Sequence, residues 1–465
     1  MLNTKDFAVK KLVAMAPRFL PFADVATDEL PLRRLLRLAL FQITVGMALV
    51  LLVGTLNRVM IVELDVPASI VGIMLALPLL FAPFRTLIGF KSDTYDSALG
   101  WRRTPYIFKG TMLQFGGFAI MPFALLVLSQ QGYAADAPRW LGLGSAAIAF
   151  LLVGAGVHIV QTVGLALATD LVREEDQPNV VGLMYVMLLV GMIGAAFVYG
   201  RLLDPYSPGA LIAAIQGSAV VTIVLNGVAM WKQEPRNRAR AASDRVKPEF
   251  SEAWRGFVGQ TNALRLLVVI GLGTFGYGMA DVLLEPYGGQ VLNMSVAATT
   301  KLTAVLAGGS LIGFWMASFL LARGGSPTRM AWTGALIGVP AFAAIIVAAT
   351  GGGVGLFTFG VLFAGFGAGL FGHGTLTATM RAAPADQVGL ALGAWGAVQA
   401  TCAGLAVAFG GVIRDLVVAG GAQAAQAPYV PVFALEMGFL VFAVIAIWPL
   451  RRKITGISQQ EAYVS

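Results

Sequence analysis

Long apolar segments, separated by short polar ones, run through almost the whole chain. Each is close to the roughly 20 residues that an α-helix needs to cross about 30 Å of hydrocarbon. Inside lipid every backbone polar group must be paired within the segment, so helices are expected. The pattern predicts an all-α polytopic membrane protein with about twelve transmembrane helices, at 38–62, 67–90, 105–129, 140–168, 179–200, 209–231, 266–290, 297–321, 330–350, 354–379, 388–413 and 430–450.

The composition supports a membrane protein. Charged residues make up 12% and hydrophobic residues 57% of the chain, and the mean hydropathy is +0.78. A soluble domain carries roughly 25% charged residues. The chain also contains 56 glycines, and small residues allow membrane helices to pack closely.

The polar segments divide the chain into five predicted regions. These are a cytoplasmic N-terminal segment (1–37), a six-helix half (38–231), a basic central loop (232–265), a second six-helix half (266–450) and a cytoplasmic tail (451–465). If the N-terminus is cytoplasmic, 27 of the 32 Lys and Arg residues lie on the cytoplasmic side, as the positive-inside rule requires. This placement explains the net charge of +8 without nucleic acid.

The two halves carry a similar short motif. Arg173 is followed by the sequence Val-Gly-Leu at 181–183, and Arg381 is followed by Val-Gly-Leu at 388–390. Two similar six-helix halves joined by a long basic loop resemble the layout of the major facilitator superfamily.

A second membrane element is predicted at 7–20. Ala8, Leu12, Met15 and Phe19 recur at helical spacing among basic residues, which is typical of a helix lying on the anionic cytoplasmic leaflet. The alternative is a charged tail that folds against the protein.

The loop after the second predicted span contains a charged motif. Gly89, Asp93, Gly100, Arg102 and Arg103 follow in order, and they resemble the loop signature of the major facilitator superfamily, with about four extra residues after the aspartate. A carboxylate at a helix end can be bound by guanidinium groups in a charge-assisted network. The alternative is that the arginines only set the topology.

Three segments carry a more specific resemblance. They are Gly-Trp-Arg-Arg-Thr-Pro-Tyr-Ile at 100–107, Pro-Arg-Phe-Leu-Pro-Phe-Ala-Asp at 17–24 with Leu-Pro-Leu-Arg-Arg at 30–34, and Gly-Thr-Leu-Asn-Arg-Val-Met-Ile at 54–61. Together they resemble the PucC/LhaA family, the bacteriochlorophyll-delivery branch of the major facilitator superfamily. The resemblance covers essentially the whole chain and is strongest over 17–123.

This resemblance implies a role in assembling light-harvesting antenna complexes in the inner (intracytoplasmic) membrane of purple phototrophic bacteria. It implies bacteriochlorophyll as a transient ligand and the antenna α and β polypeptides as partners. The reaction-centre core complex and pigment-synthesis enzymes are further partners that it suggests. It does not separate PucC-like proteins, tied to the peripheral antenna, from LhaA-like proteins, tied to the core antenna.

The chain has only two histidines, His158 and His373, and both lie within predicted spans. A neutral imidazole can supply the axial ligand that the magnesium of a chlorin needs. Gly372 and Gly374 flank His373 and are expected to leave room for a flat macrocycle. The alternative for each histidine is a hydrogen-bonded side chain packed between helices.

Ionisable residues within the membrane are costly and therefore candidates for function. Arg58, Arg85, Asp281 and Glu285 belong to this group. The two carboxylates are four residues apart, so a continuous helix would place them on one face, where they could bind a proton, or magnesium in a pigment. Pro286 is expected to break the helix beside them. The alternative is that both carboxylates lie in water near the periplasmic surface.

Other kinds of function are not supported. The glycines at 271, 273 and 276 fit a dinucleotide fingerprint but lie in a predicted membrane helix, where they indicate packing or bending. The single cysteine, Cys402, allows neither an intramolecular disulfide nor a Cys-based metal site. We therefore expect no enzyme and no nucleotide. Two alternatives to pigment delivery remain: a proton-coupled transporter of a small solute, and a pigment-free scaffold for antenna helices.

Overall fold

A computed structural model describes residues 30–80, 88, 92, 101–130, 134, 136–173, 177–234, 259, 262–382 and 388–461. All regular secondary structure in these ranges is helical. In chain order the helices are α1 (Leu32–Leu38), α2 (Leu40–Leu49), which continues as π-helical turns at Val50–Leu56 and Val59–Glu63, α3 (Ala68–Leu80), α4 (Thr104–Ser129), α5 (Arg139–Asp170), α6 (Gln177–Leu202), α7 (Pro208–Met230), α8 (Ala263–Gly278), a 3-10 turn (Ala280–Val282), α9 (Leu284–Gln290), α10 (Val296–Ala322), α11 (Pro327–Val347), α12 (Gly353–Ala382), α13 (Val388–Ala419) and α14 (Val430–Glu461).

The prediction of a multi-pass α-helical membrane protein is confirmed. Ten segments in the described ranges are long and apolar enough to cross a membrane. One of them, Pro327–Ala382, contains both α11 and α12. The shorter apolar helix at Ala68–Leu79 lies at the second predicted span.

Helix ends differ from the prediction at both termini. The first helix begins at Leu32 rather than 38, directly after Pro31, because proline has a fixed φ that suits a helix start. Leu32, Leu35 and Leu38 bury one side of α1 at helical spacing. The last helix continues to Glu461, into the predicted tail.

The chain forms two compact units, and neither is a single continuous stretch of sequence. The first comprises Met1–Leu49, Phe84–Ala195 and Ile212–Asp244, and the second comprises Val50–Pro83, Ala196–Leu211 and Arg245–Ser465. The predicted division into halves at the central loop stays a prediction.

Glycines hold α10 and α12 together in the second unit. A side chain at Gly309 would collide with the carbonyl oxygen of Leu362, and one at Gly365 would collide with that of Leu306. The two backbones therefore touch directly, as small residues allow between membrane helices. This contact fixes the register of α12, which carries His373.

The packing of α10 against α12 predicts different effects on stability for alanine substitutions at two neighbouring glycines. Gly309→Ala should destabilise the protein by about 1–3 kcal/mol, because the added methyl group forces the helices apart. Gly308→Ala is the matched control, since a Cβ there meets nothing within 4 Å. Thermal unfolding of the purified variants measures the difference. Equal unfolding midpoints for the two variants would show that the contact at Gly309 does not hold α10 and α12 together.

Candidate intramembrane site

The seventh predicted span is broken in the middle. α8 ends at Gly278, and a 3-10 turn carries the chain to α9, which begins at Leu284. Pro286 explains the break, because it has no N–H to donate to the carbonyl of Val282 and its ring clashes with that carbonyl. Asp281 lies in the turn and Glu285 in the first turn of α9. The pair therefore does not lie on one continuous helix, and the expected break is present.

Two side chains bind the backbone groups that the break leaves unpaired. Asn57 Nδ2 donates to the carbonyl oxygen of Val282 over 2.9 Å. Glu436 Oε1, on α14, accepts from the backbone N–H of Ala280 over 2.6 Å. Both side chains are fully buried. The break is thus stabilised by side chains from two other helices of the same unit.

Glu285 is buried at the start of α9. Only 5% of it is exposed, and its Oε1 accepts from the hydroxyl of Thr303 over 2.9 Å. The alternative of a carboxylate in bulk water is wrong for Glu285. Asp281 is half-buried and interacts electrostatically with both Glu285 and Glu436. Two carboxyl groups therefore lie in the broken segment itself, and that of Glu436 contacts it from α14.

Arg58 lies beside Asn57 on the first span. It is 4% exposed, forms an ion pair with Glu63 and donates from Nη2 to the carbonyl oxygen of Met294 over 3.2 Å. This predicted intramembrane charge is paired, so its charge is balanced by Glu63. Arg85, the other predicted arginine, lies outside the described residues.

His373 is half-buried on α12 and lies beside an aromatic ring. Its ring centroid is 4.2 Å from that of Phe314 on α10. A Cβ at Gly372 would meet nothing within 4 Å, whereas one at Gly374 would lie 2.5 Å from the backbone nitrogen of Ala331. The expected space is therefore present at Gly372, but the backbone of α11 fills it at Gly374.

His158 lies on α5 in the first unit and is half-buried. Gln161 and Thr162 follow it on the same helix and are also half-buried. The pigment role predicted for each histidine stays a prediction.

The charged motif after the second span is described in part. Gly89, Asp93 and Gly100 lie outside the described residues. Arg102 and Arg103 both pair with Asp170 at the end of α5, at 3.5 and 3.1 Å.

Two further groups bind this motif. Arg103 Nη1 donates to Ser92 Oγ over 2.7 Å. The carboxylate of Glu234 accepts from the backbone N–H groups of Arg102, Arg103 and Thr104. A carboxylate at the start of α4 is favoured by the helix dipole.

Sequence reasoning missed Glu436, Asn57 and Glu234. Glu436 gave a signal, because it is the only charged residue in the predicted span 430–450, and such residues are rarely without a role. Asn57 stands next to the predicted Arg58. Glu234 lies in a charge-rich loop and gave no distinguishing signal.

Solved structures with a similar fold define the class of protein. A bacterial homologue of the human lysosomal transporter Spinster matches with a TM-score of 0.66 and 15% identity, over 90% of this chain and 96% of that chain. The nucleoside transporter NupG matches with a TM-score of 0.67 and 13% identity, over 90% of this chain and 99% of that chain. At such identity the likeness shows the fold alone. It is the fold of the major facilitator superfamily.

Sequence comparison defines the family within that class. The profile described as PUCC protein matches residues 55–454. Protein PucC of Cereibacter sphaeroides (strain ATCC 17023) is 64% identical over 95% of this chain and 97% of its own length. Protein PucC of Rhodobacter capsulatus is 62% identical over 97% of this chain and 99% of its own length. The chain belongs to the PucC family, and it is a multi-pass protein of the bacterial membrane.

Proposed function

We propose that this protein is an assembly factor for bacterial light-harvesting complexes, and that it binds bacteriochlorophyll and passes it to antenna polypeptides. The observation that carries the proposal is full-length identity above 60% to two PucC proteins. We propose further that it acts by binding rather than by catalysis. Its partners are then the antenna α and β polypeptides, together with the core complex or the enzymes that supply pigment.

The peripheral antenna is the better-supported destination. Both relatives named above are PucC proteins, and the PucC-like branch is the one tied to the peripheral antenna. Identity of this extent over nearly the whole length favours a shared destination. Deletion of the gene should then lower the absorbance of the peripheral antenna more than that of the core antenna.

His373 is the proposed contact for the pigment. If a chlorin binds here, an imidazole nitrogen of His373 would supply a ligand to its magnesium. The imidazole of His373 is half-buried in an apolar span, lies against the ring of Phe314 and has open space beside Gly372. Phe314 can offer an aromatic face to a planar macrocycle. These features fit a chlorin. His158 and Glu285 are the second and third candidates.

The absorption spectrum of the gently purified protein tests pigment binding. Expression in a host that makes bacteriochlorophyll should give a protein whose pigment bands survive size-exclusion chromatography. A colourless protein that still binds antenna polypeptides would support the pigment-free scaffold instead.

A proton-coupled transporter of a small solute is the second candidate. Three carboxyl groups in the membrane, Asp281, Glu285 and Glu436, favour it, since intramembrane carboxylates serve proton relays in transporters. The fold is compatible with this function as well. Solute uptake into vesicles that a protonophore abolishes would support transport. The absence of uptake together with bound pigment would support delivery.

The charge distribution predicts the orientation in the inner membrane. A reporter fused after Arg240 or at the C-terminus should lie in the cytoplasm, and one fused after Ala135 should lie in the periplasm, because 27 of 32 basic residues would otherwise be on the wrong side. Paired alkaline phosphatase and fluorescent protein fusions measure this. A periplasmic signal after Arg240 would contradict the whole topology.

A further inference from the structure

One face of α1 carries positive charge that no acidic side chain balances. The helix contains arginines at 33, 34 and 37 and no acidic residue. Arg33 is exposed and Arg37 is half-buried, and a spacing of four residues places them on the same helix face, where like charges repel. Among the described residues, no ion pair includes either of them. This face therefore favours an anionic partner from outside the protein.

The opposite face of α1 is packed against the protein, which sets the direction of the arginines. Leu32, Leu35 and Leu38 are buried there. Arg37 Nε is covered by protein and has no hydrogen-bond partner in the described part of the chain, so the two terminal nitrogens are the groups with which Arg37 can bind a ligand. A guanidinium group can bind an oxyanion through two parallel N–H groups, and it loses little freedom when its stem is already held.

The end of α7 is joined to this helix within the first unit. Arg34 donates from Nε to Gln233 Oε1 over 3.1 Å and from Nη2 to the carbonyl oxygen of Gln233 over 3.0 Å. Gln233 Nε2 donates back to the carbonyl oxygen of Arg34 over 3.2 Å. Lys232, which precedes Gln233, is exposed and adds positive charge beside α1. The carboxylate of Glu234 is directed elsewhere, to the backbone N–H groups at the start of α4.

These basic groups lie at the level of lipid headgroups. The first apolar segment covers Leu32–Glu63, which is 32 residues, whereas about 20 residues cross the hydrocarbon, and the predicted hydrocarbon span begins only at residue 38. Trp231, at the end of α7, is 66% exposed, and exposed tryptophan is typical of the membrane–water interface. Leu36 follows Arg33 by three residues on the same face and is half-buried. A ligand here would meet positive charge at headgroup level and apolar surface next to it.

We propose that Arg33 and Arg37, with Lys232 beside them, bind the phosphate headgroup of an anionic phospholipid in the leaflet on this side of the membrane, the side proposed above to be cytoplasmic. The guanidinium groups donate to the phosphate oxygens, and the acyl chains pack against Leu36 and Trp231. An anionic lipid fits better than a nucleic acid, because apolar side chains lie directly beside the charges. This site does not depend on the pigment role proposed above.

A bound lipid would stabilise a junction of three helices. Arg34 and Gln233 join α1 to the end of α7, and Glu234 binds the start of α4. An anion between Arg33 and Arg37 replaces their repulsion by attraction, so it favours α1 in this arrangement. A ligand that binds only the folded protein raises the unfolding midpoint. The stability of the protein should therefore depend on the headgroup of the lipid that surrounds it.

Thermal unfolding of the purified full-length protein, in detergent with added lipid, tests the proposal. Phosphatidylglycerol should raise the midpoint of the parent, whereas phosphatidylcholine and inorganic phosphate should not. The double variant Arg33→Gln/Arg37→Gln should lose most of this rise. In native mass spectrometry it should bind phosphatidylglycerol at least about tenfold more weakly than the parent, because each basic residue near the membrane surface adds to the attraction for anionic lipid.

Two further double variants complete the experiment. Arg265→Gln/Arg329→Gln is the matched control, because these are exposed arginines at the third residue of α8 and of α11 and are predicted to face the same side. It removes the same charge and should keep the parental response to phosphatidylglycerol. Arg33→Lys/Arg37→Lys keeps the charge but loses the paired N–H groups, so its affinity should lie between those of the parent and the glutamine variant.

Four outcomes would overturn the proposal. One is a parental rise of the midpoint in Arg33→Gln/Arg37→Gln. Another is an equal loss in the control variant, which would reduce the effect to general surface charge. A midpoint that rises with inorganic phosphate alone would exclude the lipid as the specific occupant. If the glutamine variant does not fold, parental affinity for phosphatidylglycerol in the lysine variant would leave the guanidinium groups without the proposed role.

Discussion

Purified from a host that makes bacteriochlorophyll, His373→Leu should retain much less pigment than the parent. We expect at least about a tenfold loss of affinity, the size of effect seen when support for a metal ligand is removed. Leucine keeps the apolar volume beside Phe314 but offers no nitrogen to magnesium. Bound bacteriochlorophyll per protein, measured by absorbance after extraction, gives the result.

His158→Leu is the matched control for this experiment. It removes the other imidazole, from a half-buried position on α5 in the first unit, and should leave the pigment content nearly unchanged. Loss of pigment in His158→Leu alone would move the site to the first unit. If both variants keep full pigment, histidine ligation is wrong, and Glu285 becomes the next candidate.

The helical architecture could be predicted because it depends on local properties of the chain. Segment length and apolar character are enough to place membrane helices. The break at Pro286 could also be predicted, since a proline removes a specific donor. In the structure the break lies before this proline, in the turn that carries Asp281.

The contacts at the site could not be predicted, because they join distant parts of the chain. Glu436 is a single carboxyl group in an apolar segment, and nothing in its neighbourhood indicates that it binds Ala280. Likewise, nothing near Asn57 in the sequence indicates that its side chain binds the carbonyl of Val282. Glycine counts likewise indicated close packing, but only the structure separates Gly309, which touches a helix, from Gly308, which does not.

The last prediction concerns the way Asn57 stabilises the broken helix. Asn57→Ala should destabilise the protein by about 1–3 kcal/mol, because the carbonyl of Val282 loses its donor inside the membrane. Pro286→Ala supplies a new N–H four residues after Val282, where an α-helix would use it. The double variant should therefore be more stable than the sum of the two single effects predicts. Thermal unfolding of the four proteins in one detergent gives the coupling.

A second pair of variants shows whether the coupling is specific to this carbonyl. Thr55 lies on the same span, is fully buried and shares a 3.2 Å hydrogen bond with Thr300. Thr55→Val removes that bond without affecting Val282, so its effect should add to that of Pro286→Ala. If the Asn57 and Pro286 variants are also additive, the amide of Asn57 does not replace the hydrogen bond that the proline removes.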